Sequence, residues 1–455
     1  MTEPASPSPP ADAPPAATPN PAELLRSKSY LALVAFGAII GVPVATVAYF
    51  FLQAVANTQQ YVFETLPGEL GFDSPPPWWQ ILPLALSGLL VAATIRYLPG
   101  TAGHKPAEGF KAGGAVRPID LPGIIIASFA TLSLGVVLGP EAPLIAIGSG
   151  MGVLAVHLIK RDAPEMASVV VGAAGSFAAI STLLGSPLAG AFLMMEAGGL
   201  GGALMGVVLV PGLLAAGIGS LIFIGLNSWT GFDDMSLGAP TLPPVGSPTG
   251  AEFLWAIAIG ILAALLGAFI RRLALRLQPI VSGHRSLVLT PLAGVTIGVL
   301  ALIFVEGTDK PVEYVLYSGQ DQLAPLMEQA ATWSVGALIL LVACKGLAYS
   351  VALSGFRGGP VFPGMFIGAV GGIALSHLPG LTMVAGAAMG IGAMTVAMLD
   401  LPIVSLLLVT LFLGADGLQV TPVVIVAIVV SYIVSARLRP VPTGSLAKSP
   451  APAQT

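Results

Sequence analysis

From Tyr30 to Val434 the chain is an almost continuous succession of apolar stretches, several of which are cut by Gly or Pro before they reach the length of a bilayer crossing. A spanning helix needs about 20 mostly apolar residues, and there is room here for roughly ten to fourteen of them. The expected segments in the first half are Tyr30 to Ala56, Ile81 to Tyr97, Leu121 to Leu138, Pro140 to Ile159, Ala167 to Leu184, Leu188 to Gly199 and Leu204 to Leu226. In the second half they are Phe253 to Leu277, Leu287 to Phe304, Trp333 to Val351, Val361 to His377, Met383 to Leu399, Pro402 to Leu413 and Val423 to Val434. Only 9% of the 455 residues are charged, against roughly a quarter in a soluble domain, so water is not the main solvent of this chain. Non-helical backbone at membrane depth survives only where protein or a water-filled cavity surrounds it. Short, broken segments therefore point to an all-α, polytopic channel or transporter with partly re-entrant helices, rather than to a helical anchor.

Charge placement orients the segments. Arg26 and Lys28 precede the first and Arg437 and Arg439 follow the last, which by the positive-inside rule puts both termini in the cytoplasm of a multi-pass protein of the cell membrane. Arg271, Arg272, Arg276 and Arg285 form a further cluster expected on that side. The stretch 227–250 carries Asp233 and Asp234 without Lys or Arg and suits an extracellular linker between one membrane unit at 24–226 and another at 251–439. Residues 1–23 and 440–455 are rich in Pro, Ala and Ser and are expected to be disordered tails, with no signal peptide at the start and no regulatory domain at the end. The basic residues are scattered, with none of the aromatic interleaving of a nucleic-acid surface. A lone Cys344 excludes an internal disulfide or thiolate metal site, and His104, His157 and His377 have no metal-ligand spacing, so no cofactor is expected.

The two halves repeat each other. Gly139 to Gly148 reads GPEAPLIAIG and Gly359 to Gly368 reads GPVFPGMFIG, both fitting GPxxPxxxIG. GAA recurs at Gly172 and Gly386, and a proline follows at Pro187 and Pro402. The second member trails the first by nearly the same distance each time, which chance does not produce three times in order. With cytoplasmic termini and an external middle loop, such repeats are inverted, and their sites lie at the repeat interface near mid-membrane.

In each decapeptide a Gly is followed by a Pro at the expected first helical position, where its missing N–H costs nothing. A helix therefore begins inside the membrane twice. Its first N–H groups lack intrahelical partners and carry about half a positive charge, which makes each start an anion site. Two facing starts would hold one dehydrated anion without a fixed Lys or Arg, whose full charge would hinder release. Glu141 sits in the first start. An ionisable residue at this depth costs roughly 2.5 to 3.5 kcal/mol and reads as functional: its carboxylate competes for the anion's place, and protonation frees it. The plainer alternative is an acid that merely complements the helix dipole.

In their order, GTAGHKPAEG from Gly100, GPEAP from Gly139, SPLAGAFLMMEA from Ser186 and GFRGGPVFPGMFIG from Gly355 resemble the motifs of the CLC family of chloride channels and anion/proton exchangers. The resemblance covers about Tyr30 to Val434. It implies the inverted-repeat CLC fold, transport of small inorganic anions with chloride foremost, a homodimer with one pore per subunit, and Glu141 as the gate. It also implies an anion site built from Ala102, Gly103, Gly139, Pro140, Ala142, Gly359, Pro360, Val361 and Phe362. Departures from the family pattern stand out: Ala102 replaces a serine hydroxyl, Pro360 replaces a residue with an N–H, Val361 replaces a phenylalanine, and the family's inner tyrosine has no counterpart beyond the poorly placed Tyr432. Glu196 matches the first acid of a pair whose second, the exchangers' inner proton acid, is Ala197 here, leaving it either a helix-end acid or part of a proton path. His104 is expected either to face the inner vestibule as a pH switch or to be a satisfied loop residue. Lys345 is expected to snorkel or to pair with an acid such as Asp400.

Two other classes compete less well. An intramembrane protease needs HExxH, paired aspartates or a serine with a base, and the sequence has none of these. A transporter of cations or organic solutes would want several buried acids, whereas these helix breaks aim N–H groups inward.

Overall fold

A computed structural model describes residues 26–112, 114–199, 202–232, 238, 240–243 and 246–439. The expected tails 1–23 and 440–455, and Asp233 and Asp234, lie outside the described residues. The chain is all-helical: α1 (Lys28–Gln60), α2 (Ile81–Tyr97), α3 (Leu121–Ser133), α4 (Glu141–Ile159), α5 (Glu165–Leu184), α6 (Pro187–Ala197) and α7 (Gly202–Thr230) make the first half. The second half comprises α8 (Gly250–Val281), α9 (Ser286–Thr308), α10 (Gln320–Glu328), α11 (Val335–Gly355), α12 (Val361–Leu375), α13 (Met383–Leu399) and α14 (Pro402–Leu438). Eight helices among the described residues are long and apolar enough to cross a membrane, and the shorter apolar ones include α3, α6, α12 and α13.

The Gly and Pro breaks act where the sequence puts them, with three differences. Helix α3 stops at Ser133 instead of running to Leu138, and the chain continues without helix through Gly135 at φ 93°. The last two expected segments are one element, α14, broken at Gly414. Pro140 and Pro360 are N-cap residues, one position outside the helices they introduce, while Pro143 and Pro363 occupy the first turns. A proline there removes a donor that has no intrahelical partner in any case.

Halves and packing correspond. Helix α4 packs on α5 as α12 packs on α13. A Cβ on Gly148 would strike the backbone of Gly175, and one on Gly368 the backbone of Gly390, so both pairs cross by direct backbone contact of small residues. Helices α4 and α12 leave the centre toward opposite faces. Ser149 of α4 contacts the 114–116 loop through Val116 N and Gly114 O, and the same connection meets the end of α8 through Glu108 and Gln278. The turn after α12 instead meets the start of α8, where Trp255 Nε1 donates to the Pro379 carbonyl. Helices α5 and α13 are buried along most of their length, so the lipid-facing surface belongs to outer helices such as α1, α2, α8 and α9, which expose Ile39, Leu82, Leu262 and Leu292.

Gly368→Val forces a side chain into the Gly390 backbone, and overpacking of this kind costs about 1 to 3 kcal/mol. Gly371, whose Cβ position meets nothing within 4 Å, is the matched control. Detergent melting curves should fall for Gly368→Val and stay put for Gly371→Val; equal curves would place the helix crossing elsewhere.

Candidate anion site

The decapeptides meet through their glycines. Gly139 and Gly359 form an isolated antiparallel bridge, the Gly139 N–H donating to the Gly359 carbonyl at 2.8 Å and the Gly359 N–H to the Gly139 carbonyl at 2.5 Å. The bridge brings together the starts of α4 and α12. Within each first turn the fourth residue already bonds back to the N-cap, Leu144 to Pro140 and Gly364 to Pro360, and the third is a proline. The unbonded donors of each start are therefore concentrated on its first two residues.

Glu141 fills the space between them and is 0% exposed. Its Oε1 accepts from the Phe362 N–H at 2.9 Å, and its Oε2 is buried without a hydrogen-bond partner. A side chain on either Gly139 or Gly359 would collide with this carboxylate, which explains glycine at both positions. The ion pairs among the described residues do not include Glu141. Its charge is balanced by oriented backbone dipoles: one charge-assisted hydrogen bond of about 1.5 to 3 kcal/mol and helix starts worth up to about 2 kcal/mol each. Against a burial cost of roughly 2.5 to 3.5 kcal/mol, the carboxylate is held without being locked.

Two cavities approach this point. The larger, about 420 Å³, is lined by Ala102, Gly103 and His104 and reaches Ala142, Pro143 and Gly358. The smaller, about 40 Å³, is lined by Gln59, Tyr317 and Asp321 and reaches Leu138 and Pro140. The cavities touch the residues on either side of Glu141 in sequence, and neither is lined by Glu141 itself.

All nine expected anion-site residues gather here. Gly139, Pro140, Gly359 and Pro360 form the bridge and caps, Val361 and Phe362 are buried at the start of α12, and Ala102, Gly103 and Ala142 line the larger cavity. Ala102 and Gly103 have positive φ of 58° and 86°, so the loop turns sharply where it borders the cavity. Glu196 lies elsewhere: its two oxygens accept from Ile403 N at 3.0 Å and Val404 N at 2.7 Å, capping α14, whose own N-cap Leu401 has no polar side chain. Tyr432 sits 41% exposed on α14.

Lys345 does neither thing expected of it. It is 0% exposed, and its Nζ donates to the carbonyls of Tyr314, Val315 and Leu316 at 3.0, 3.1 and 3.0 Å and, at 3.4 Å, to that of Tyr317. The ammonium ties down that loop from within and lies 4.5 Å from the Phe366 ring centroid. Asp400 instead pairs with Arg271 and Arg439.

Two residues escaped the sequence reading. Tyr349, fully buried on α11, donates its hydroxyl to the Pro360 carbonyl at 2.9 Å and fixes the cap of α12 from behind. Arg357 lines the larger cavity and is 4% exposed. It stood inside the GFRGGP motif, and a charge at that depth carried the same signal that singled out Glu141.

The model of the voltage gated chloride channel family matches residues 88–436. The chain belongs to that family, CLC. "Putative ion-transport protein YfeO" of Salmonella schwarzengrund is 30% identical over 353 residues, covering 77% of this chain and 82% of that protein. The protein of the same name from Escherichia coli O139:H28 is 29% identical over 362 residues, covering 78% and 81%. Among solved structures, a slow cyanobacterial Cl−/H+ antiporter matches with a TM-score of 0.71 at 19% identity, over 89% of this chain and 94% of that one. A CLC-type fluoride/proton antiporter matches with a TM-score of 0.66 at 20% identity, over 90% and 96%. The chain is thus a multi-pass CLC membrane protein of anion transport rather than an enzyme.

The loop at 100–104 places His104 on the larger cavity with Nε2 2.7 Å from the Gly109 carbonyl. Burial, ahead of the opposing hydrogen bond to the Gly109 carbonyl and the nearby charges, pushes this imidazole below its ordinary range, which favours the neutral ring at pH 7. His104→Asn should leave the pH profile of anion flux unchanged above about pH 7, where the lowered imidazole is mostly neutral; a profile altered in that range would give the ring a part in gating.

Proposed function

We propose that this CLC protein passes chloride and related small anions along a path on which Glu141 is the gate. The observation that carries the reading is the carboxylate itself, an anion already seated between two helix starts and bonded to the Phe362 N–H at 2.9 Å. An incoming anion needs the same donors. Protonation removes the charge that holds Glu141 there, so the side chain swings out and the site opens; flux rises as pH falls. The larger cavity, on the face shared with Arg271 and Gln278 at the end of α8, is the cytoplasmic vestibule by the positive-inside rule. The smaller is the extracellular approach. Two such subunits pair, each with its own path.

Proton movement is gating rather than stoichiometric exchange through Glu196. Both oxygens of that residue are engaged in capping α14, and Ala197 follows it where a second acid would continue a relay. Exchange remains the second reading, favoured by the single proton acceptor that Glu141 offers on the path.

Proteoliposome efflux of chloride recorded together with internal pH tests both readings. Glu141→Gln, neutral at every pH, should raise flux and abolish its acid activation between about pH 4 and 8. A Glu141→Gln profile that follows the wild type would remove the gate assignment. Proton uptake in fixed proportion to chloride would replace gating with exchange.

A further inference from the structure

The larger cavity holds a cation that the path described so far does not use. Arg357 lies on the non-helical stretch between α11 and α12, two residues before Gly359. Its backbone N–H donates to Thr131 Oγ1 at 3.3 Å. Its Nη1 donates to the Phe356 carbonyl at 3.1 Å and its Nη2 to the Thr101 carbonyl at 3.1 Å. These bonds fix the guanidinium plane across the cavity wall. The Nε–H is buried and has no partner. The ion pairs among the described residues leave Arg357 without a carboxylate, and Asp120, the acid lining the same cavity, is held by two bonds from Arg117. Lys111 adds a second cation to the wall. A guanidinium 4% exposed, with an unpartnered donor and Glu108 acting on it only from beyond ion-pair distance, is unfavourable unless an anion completes its compensation.

We propose that Arg357 is the anion-selecting residue of this protein, its Nε–H holding a weakly hydrated monovalent anion, of the class of chloride, bromide and nitrate, in the vestibule behind Gly358 and Ala142. The proposal deepens the anion-transport reading and rests on it. Ala102 and Gly103 bring no side-chain donor to this loop, and Arg357, bonded to the Thr101 carbonyl beside them, supplies one from the other repeat. A guanidinium is itself weakly hydrated, so it recovers little of the hydration that fluoride must surrender, and fluoride binds worst. Three carbonyls share the charge, at 3.1, 3.1 and 3.5 Å, and the cavity is wide enough for water, so the anion is held loosely enough to leave.

Titration calorimetry of the purified full-length protein at about pH 9, where a carboxylate such as Glu141 is ionised and keeps its own place, reads this vestibule separately from the gate. Sodium chloride, bromide and nitrate should bind and sodium fluoride should bind more weakly. Arg357→Gln should weaken chloride binding by about 10- to 100-fold, the worth of one charge-assisted hydrogen bond, with Arg357→Lys between the two. Melting curves identify folded variants. A folded Arg357→Gln protein with wild-type chloride affinity overturns the proposal. If that variant does not fold, the wild-type series decides, and fluoride binding as tightly as chloride overturns it. The acid activation of flux is read independently, so loss of the gate assignment leaves the calorimetric result standing, and the reverse also holds.

Discussion

The structure turns on one constraint: a carboxylate buried in a membrane protein with backbone dipoles, rather than a cation, to balance it. Glu141 satisfies one oxygen on the Phe362 N–H and leaves the other without a partner. To provide that environment, two helices must begin at the same point and aim their starts at each other, which requires non-helical backbone in the interior of the protein. Such backbone is tolerated only when protein shields it from lipid, and here the Gly139–Gly359 bridge, the caps Pro140 and Pro360 and the buried helices α5 and α13 provide the shield. The close glycine crossings of α4 on α5 and of α12 on α13 follow from the same requirement.

Balance by dipoles gives the site its mobility. A lysine beside Glu141 would lock the carboxylate in place or hold an anion against release. Backbone donors are fixed in position and individually weak, so a proton or a competing anion shifts the balance by amounts comparable to the holding energy. Lys345 illustrates the contrast: its ammonium is met by several carbonyls of the 314–317 loop and serves as a structural tie. Arg357 stands between these cases, anchored by its Nη groups and unpartnered at Nε.

The helix starts were legible because they rest on local chemistry. Gly-Pro before a run of small and apolar residues specifies a start, and its recurrence in the second half specifies a partner for it. Glu141 and the nine residues around it followed from that pattern together with the family resemblance. The partners of long side chains were not legible. Lys345 bonds carbonyls about thirty positions earlier in the chain, and Arg357 reaches Thr101 from the opposite half; neither contact leaves a periodic trace in the sequence. Tyr349 was missed for the same reason, since its partner is a main-chain carbonyl, which any residue type provides. Glu196 carried two readings in sequence, and only the position of α14 reveals which N–H groups its oxygens meet.

The most direct test is a crystal structure of Glu141→Ala grown in bromide, with the ion located by anomalous scattering. If the carboxylate and the transported anion compete for one set of donors, a bromide peak should appear in the space the carboxylate vacates, about 3.5 Å or less from the Phe362 amide nitrogen. A pocket that closes over without an ion, the Phe362 N–H satisfied by protein, would contradict the account.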